Sequence, residues 1–114
     1  MDDDSIAKNL PLSAAVFHVM LSLAAGQRHG YVIAKDVEAA TNGTVRLGAT
    51  TLYRTLHQLI NDGWIAEGDS DHHDQRRRVY SLTDRGRTIA AAEARRLSDV
   101  VSIARERRLI PAMG

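Results

Sequence analysis

The sequence predicts a mainly helical α+β domain with three short helices, a two-stranded β-hairpin and one long C-terminal helix. Apolar residues recur at spacings of three and four in four segments, which is the period of an amphipathic helix. Between the third and fourth segments, two runs of strand-forming residues flank a polar turn. The chain has 114 residues, which is enough for one small hydrophobic core and too few for a second.

The first two helices are bounded by residues that start and stop helices. We predict the first helix over about 14–25, with Ser13 as its N-cap and Gly26 at its end. A short turn at 27–29 leads into the second helix, predicted over about 30–41.

The third helix is predicted to begin at Ala49 or Thr50 and to run to residue 61, where Asp62-Gly63 is a strong stop. The preceding residues 44–47 look extended and predict a small first strand or a linker. One face of the helix is apolar and carries Leu52, Leu56, Leu59 and Ile60. The opposite face is polar and carries Thr50, Tyr53, Arg54, His57 and Asn61.

A β-hairpin is predicted after the third helix. Its strands cover 64–67 and 77–82, and the polar residues 68–75 form a long charged tip between them. The run Arg76–Arg78 lies beside this tip. Alternation along a strand sends Arg77 to one face and its two neighbours to the other.

The last helix begins after Thr83, tolerates Gly86 in its first turn and extends to about residue 108. At 1.5 Å per residue it spans about 37 Å, whereas a first helix of about 22 Å can shield only part of it. We therefore predict that it forms a homodimer interface, with folding back onto the first helix as the alternative. The predicted interface residues are Ile89, Ala90, Ala94, Leu97, Val100, Val101 and Ala104. Glu93, Asp99 and Glu106 are available as charged partners across that interface.

Charge is unevenly distributed along the chain, although the formal net charge is only +1. Residues 1–74 carry five basic and ten acidic side chains, whereas residues 75–114 carry ten basic and four acidic ones. This asymmetry indicates a polyanionic partner. Thirteen of the fifteen basic residues are arginines, which fits phosphate recognition and fits a GC-rich genome equally well.

Several classes of protein are excluded or disfavoured by composition. The chain has no cysteine, so disulfides, thiolate metal sites and cysteine nucleophiles are excluded. It has no glycine-rich phosphate loop, zinc-protease motif or nucleophile elbow, so we predict no enzyme and no cofactor. Asp71–Asp74 offers two imidazoles and two carboxylates, but adjacent residues on one tip rarely close a metal site, so we predict no bound metal.

The expected location is the cytoplasm. The longest apolar run, 14–25, is too short to span a bilayer, so we predict no membrane association. The acidic start of the chain lacks the basic region of a signal peptide.

This order of elements is the winged helix-turn-helix arrangement, in which the third helix enters the DNA major groove and the hairpin lies along the backbone. The alternatives are a solvated polar face for the third helix and an arginine arm paired with nearby aspartates. Tyr31 can reach a phosphate at the positive end of the second helix, or it packs between the first two helices. The predicted DNA-binding residues are Tyr31, Thr50, Thr51, Tyr53, Arg54, His57, Arg76, Arg77 and Arg78.

The chain also resembles the PadR-like transcriptional regulators. The resemblance is carried in order by the segments 18–23 (HVMLSL), 29–33 (HGYVI), 48–56 (GATTLYRTL), 62–65 (DGWI) and 76–86 (RRRVYSLTDRG). It implies a homodimeric winged-helix DNA-binding protein, usually a repressor, of the short form with a single C-terminal helix. One departure is the alanine and added threonine at the start of the third helix, where such proteins often have Pro-Gly-Thr. Either Thr50 or Thr51 therefore faces DNA.

We therefore expect a flexible segment at 1–9, a DNA-binding domain at 10–83 and a dimerisation helix at 84–110. The expected function is that of a dimeric, sequence-specific regulator, a repressor on a pseudo-palindromic operator, associated with the bacterial nucleoid. One alternative is a sensor whose dimer interface binds a small-molecule effector or a partner. Trp64 lies beside the hairpin and not on the last helix. This position weakens the hypothesis that the dimer interface binds a flat aromatic effector. Another alternative is a winged-helix module that makes only protein contacts.

Overall fold

The computed structural model describes residues 6–69 and 78–111. Within these residues, four main helices surround a small three-stranded antiparallel sheet of order β1-β3-β2. The elements are α1 (Ala14–Ala24), β1 (Arg28–His29), α2 (Gly30–Ala40), α3 (Ala49–Asn61), β2 (Ile65–Asp69), β3 (Arg78–Leu82) and α4 (Asp84–Glu106). The predicted fold class and the long C-terminal helix are confirmed. No helix in the described ranges is both long and apolar enough to cross a membrane.

The sheet contains a third strand that the sequence prediction missed. Arg28 stands opposite Tyr80 and His29 stands opposite Val79 in an antiparallel pairing of β1 with β3. We predicted a turn at this position, because two residues are too few to show an alternating pattern. The extended stretch 44–47 forms no strand and is the linker, since the Thr41 hydroxyl accepts from the Val45 N–H at 3.0 Å and holds the turn.

One hydrophobic core unites the helices and the sheet. Its buried members are Val19, Met20, Leu23, Ile33, Val37, Leu52, Leu56, Leu59, Trp64, Ile65, Tyr80, Ile89 and Ala90. The apolar stripe predicted for α3 is confirmed at Leu52, Leu56 and Leu59, while Ile60 is only partly buried. Of the predicted flexible segment, residues 6–9 are described, and Ile6 packs partly buried against the core.

The predicted caps of the first and last helices are confirmed. The Ser13 hydroxyl accepts from the Val16 N–H at 3.1 Å. The Thr83 hydroxyl accepts from the Gly86 N–H at 3.0 Å and donates to the Gly63 carbonyl at 2.7 Å. Thr83 therefore caps α4 and at the same time ties its start to the end of α3.

Glycine is required at position 86 because the start of α4 approaches the backbone of Trp64 closely. The sequence alone predicts only that Gly86 is tolerated. A Cβ atom at this position would overlap the carbonyl oxygen of Trp64 and would lie 2.9 Å from Cδ1 of Leu82. Only glycine lets the first turn of α4 lie directly on the backbone where β2 begins. The first turn of α4 is therefore packed directly against the backbone of Trp64.

Candidate nucleic-acid interface

Helix α3 presents one polar, exposed face. Its apolar face lies in the core, and its other side faces solvent because residues at 3.6 per turn separate into two faces. All five predicted recognition residues of this helix are exposed: Thr50, Thr51, Tyr53, Arg54 and His57. The structure therefore brings together hydroxyl, guanidinium and imidazole groups on one surface, and their contact with DNA stays a prediction.

Tyr53 differs from its neighbours on this face because it also packs against α2. Its side chain is 38% exposed. A Cβ built on Gly30 would lie 3.0 Å from the Tyr53 hydroxyl and 3.3 Å from the ring. The absence of a side chain at Gly30 therefore makes room for the tyrosine ring, which holds the start of α2 against α3.

Tyr31 lies on the surface at the start of α2 and is 58% exposed. Its ring stacks on His29, with ring centroids 5.8 Å apart and planes 12° from parallel, and Lys35 Nζ lies 6.0 Å from its centroid. His29 is the N-cap of α2 but makes no capping hydrogen bond through its side chain. The first amides of α2 are therefore not capped by His29, and the positive end of the helix lies beside an exposed phenol and a lysine.

Sequence reasoning missed the network that positions the start of α2. Arg28 Nε donates to the Ser22 carbonyl at 3.0 Å, and its Nη1 lies 3.1 Å from Asp36 Oδ2. The Ser22 hydroxyl donates to the same carboxylate oxygen at 2.8 Å. These bonds join α1, β1 and α2 just before His29. The one signal in the sequence was Ser22, a polar residue on the apolar face of α1.

The wing, which is the β-hairpin of β2 and β3, is described only in part because 70–77 lie outside the described residues. That gap contains Arg76 and Arg77. It also contains the hairpin tip at 71–74, where we predicted no bound metal. Arg78 is described, and its Nη1 lies 2.7 Å from Glu67 Oε1 on the neighbouring strand. The described residues contain no group of three or more side chains arranged to hold a metal ion.

Helix α4 divides into a covered part and an exposed part. Ile89 and Ala90, both predicted to meet a partner, are buried in the chain's own core, so we remove them from the proposed interface. Glu93, expected to pair across the interface, is buried as well. Val100 and Ile103 are about half exposed, at 48% and 51%. The remaining predicted interface residues are exposed or partly exposed: Ala94, Leu97, Val100, Val101 and Ala104.

The chain has three helices, a hairpin against the third of them and a polar exposed face on that third helix. This combination defines a winged helix-turn-helix protein. The model of the transcriptional regulator PadR-like family matches residues 19–92. The chain therefore belongs to the PadR-like family of transcriptional regulators.

Solved structures share this fold at low sequence identity. A transcriptional regulator from Clostridium thermocellum is 20% identical with a TM-score of 0.68, over 93% of this chain and 96% of that one. A PadR family transcription regulator from Clostridium difficile is 18% identical with a TM-score of 0.69, over 82% and 97%. RosR from H. salinarum is 23% identical with a TM-score of 0.63, over 82% and 78%. No curated protein matches the sequence significantly.

Proposed function

We propose that the chain is a dimeric, sequence-specific DNA-binding regulator that represses from a pseudo-palindromic operator. The observation that carries the proposal is the exposed polar face of α3, set opposite the buried leucines of the same helix. An α-helix fits the major groove of B-DNA, where each base pair presents a distinct pattern of donors and acceptors. In the proposed complex the protein acts on the nucleoid in the cytoplasm, without catalysis and without a metal or cofactor.

Base recognition is assigned to α3. Arg54 and His57 are exposed and one turn apart, so both reach the same stretch of groove. Thr50 or Thr51, both exposed at the start of the helix, brings a hydroxyl group to a base edge or a phosphate. Tyr53 contributes only the exposed part of its ring, since the rest packs on Gly30.

Backbone contacts are assigned to the start of α2 and to the wing. The N-terminal amides of a helix and its dipole attract an anion, and Tyr31 and Lys35 lie beside them. Arg76 and Arg77 are proposed to neutralise phosphates next to the wing. Such contacts orient the protein on the duplex but carry no sequence information.

The dimer is assigned to the exposed part of α4. Val100 and Ile103 leave apolar surface in solvent on the helix that extends past the core, and a second copy of the chain would cover it. A two-fold pair of this kind binds two half-sites whose centres lie about 34 Å apart, one turn of DNA. This symmetry is the reason for proposing a pseudo-palindromic operator.

Selection of bound sequences from a pool of random duplexes tests the proposal. We expect an inverted repeat whose half-site centres are about one helical turn apart. The double variant Arg54→Ala with His57→Ala should lose the enriched sequence while it still binds the pool at low salt. Enrichment of a single unrepeated site would contradict the dimer, and the absence of any enriched sequence would contradict specific recognition.

A further inference from the structure

The carboxylate of Glu67 lies at the centre of a cluster that spans the two wing strands. In the sheet register Glu67 stands opposite Tyr80, and Asp69 stands opposite Arg78. The guanidinium of Arg78 nevertheless reaches Glu67, where Nη1 donates to Oε1 at 2.7 Å. Diagonal neighbours on an antiparallel pair are within reach of side chains as long as arginine.

The same side chain stands across the sheet from a buried tyrosine. Tyr80 is buried and lies opposite Glu67 in the register of β2 with β3. Burial, and then the negative charge of Glu67, raise the pKa of Tyr80 to about 12, so the phenol is neutral beside the carboxylate. Glu67 thus has one charged partner in β3, the guanidinium of Arg78.

This arrangement changes what Arg78 can do on DNA. The side chains of Arg78 and Glu67 are only 35% and 27% exposed, so their attraction is less screened than that of a surface pair. To bind a phosphate, Arg78 would have to leave Glu67 and strand a partly buried carboxylate beside Tyr80. Leaving such a charge without its partner is costly.

We propose that Glu67 is a positioning residue that limits affinity for DNA: it keeps Arg78 off the phosphate backbone. The inference rests on the proposed DNA-binding function. It revises the sequence prediction that Arg78 contacts DNA, and it leaves the wing's phosphate contacts to other arginines. Weaker phosphate contact lowers binding to every sequence alike, and so raises the share of affinity that depends on base recognition.

The test is binding to a random duplex over a range of salt concentrations, with the wild type and the variants Arg78→Gln, Glu67→Gln and both together. Each phosphate that an arginine neutralises steepens the plot of log K against log salt by about 0.9. We expect Arg78→Gln alone to leave the slope unchanged. Glu67→Gln should steepen it by about 0.9 per wing and tighten binding at 0.1 M salt by about eightfold per wing. The double variant should return to the wild-type slope.

Three results would overturn the inference. The first is a slope that falls by about 0.9 per wing in Arg78→Gln alone, because Arg78 would then bind phosphate despite Glu67. The second is a Glu67→Gln variant with the wild-type slope. The third is a double variant as steep as Glu67→Gln, because the gain would then come from the lost carboxylate charge and not from Arg78.

Controls separate this inference from the function on which it rests. Asp84→Asn makes the same change from carboxylate to amide at an exposed position at the start of α4 and should leave the slope unchanged. If Glu67→Gln does not fold, the Arg78→Gln variant still tests the inference, because a slope that falls by about 0.9 per wing would overturn it. Salt-independent binding by every protein, the wild type included, would overturn the proposed function together with this inference.

Discussion

The backbone N–H of Leu12 donates a hydrogen bond to Oε2 of Glu93 at 3.0 Å, across 81 positions of sequence. Glu93 is 2% exposed, and the guanidinium of Arg96, one turn further along α4, also donates to its carboxylate. A buried, fully ionised side chain therefore joins the segment before α1 to the long helix. The bond lies at the last buried residue of α4, where the helix leaves the core.

Replacing Glu93 by glutamine should destabilise the protein by about 1–3 kcal/mol at pH 7, because buried donors lose a charged acceptor. The hydrogen bond from Arg96, helped by Leu12, holds the pKa of Glu93 below its usual value against the opposing effect of burial. A carboxyl whose pKa is lowered by folding contributes stability above its unfolded pKa of about 4.3 and loses it as the pH falls through the folded value.

Thermal unfolding of the two proteins between pH 7 and pH 3 measures this contribution. The difference in stability should be constant above about pH 5 and should shrink below about pH 4. The other carboxyl groups titrate in both proteins, so they cancel in the comparison. A difference that stays constant down to pH 3 would show that Glu93 contributes through shape and not through charge.

Replacing Gly86 by alanine should destabilise the fold by about 1–3 kcal/mol, the usual cost of forcing an extra carbon into a packed site. Helix propensity alone predicts the opposite sign, since alanine is favoured over glycine by about 1 kcal/mol inside a helix. The overlap with the Trp64 carbonyl decides the outcome. Urea unfolding is the measurement. Gly68→Ala, where an added Cβ would meet nothing within 4 Å, is the matched control and should change stability little.

Charging the exposed face of α4 should separate the proposed dimer. Val100 and Ile103 are about half exposed in one chain, so the double variant Val100→Glu with Ile103→Glu should leave the fold intact. In a dimer it places four like charges at the interface. In sedimentation at tens of micromolar, we expect a dimer for the wild type and a monomer for the variant. Ser102→Glu, on the opposite face of the same helix, should remain dimeric. A wild type that sediments as a monomer would exclude the dimer.

Replacing Arg54 by alanine should weaken binding to the selected operator by about 1–3 kcal/mol, the usual contribution of a good contact to a base. Binding to a random duplex should weaken much less, because base contacts confer specificity. Fluorescence anisotropy with both duplexes at one salt concentration gives the two losses. Arg95→Ala removes the same charge from an exposed position on α4 and should affect neither. Equal losses on both duplexes would place Arg54 on the backbone.

Sequence periodicity predicted those parts of the fold in which one element buries one face. The leucine stripe of α3 is such a case, because three buried residues at helical spacing fix both the helix and its exposed side. The helix caps were equally predictable from the sequence, because the hydroxyls of Ser13 and Thr83 accept hydrogen bonds from amides only three residues away. The polar face of the candidate site followed from the same pattern.

Features that depend on distant residues were not predictable. The strand β1 has two residues, and it exists only because β3 pairs with it about fifty positions later. Glu93 belongs to a long helix with charged neighbours, and nothing local shows that Leu12 will approach it. Gly86 looked like a tolerated residue because the Trp64 backbone lies in another element. For Arg78 the sequence offered phosphate or nearby aspartates as partners, whereas Glu67 reaches it only once the hairpin has formed.

Beyond Glu93, α4 extends out of the core, because no later residue of the helix is buried. Its remaining 13 residues, 94–106, make an arm of about 20 Å, and a tilt of about 10° at the base would move the far end by about 3.5 Å. That displacement is close to the rise of one base pair along DNA. In the proposed dimer, the stiffness of the joint at Glu93 and Gly86 would therefore determine which separation between half-sites the protein accepts.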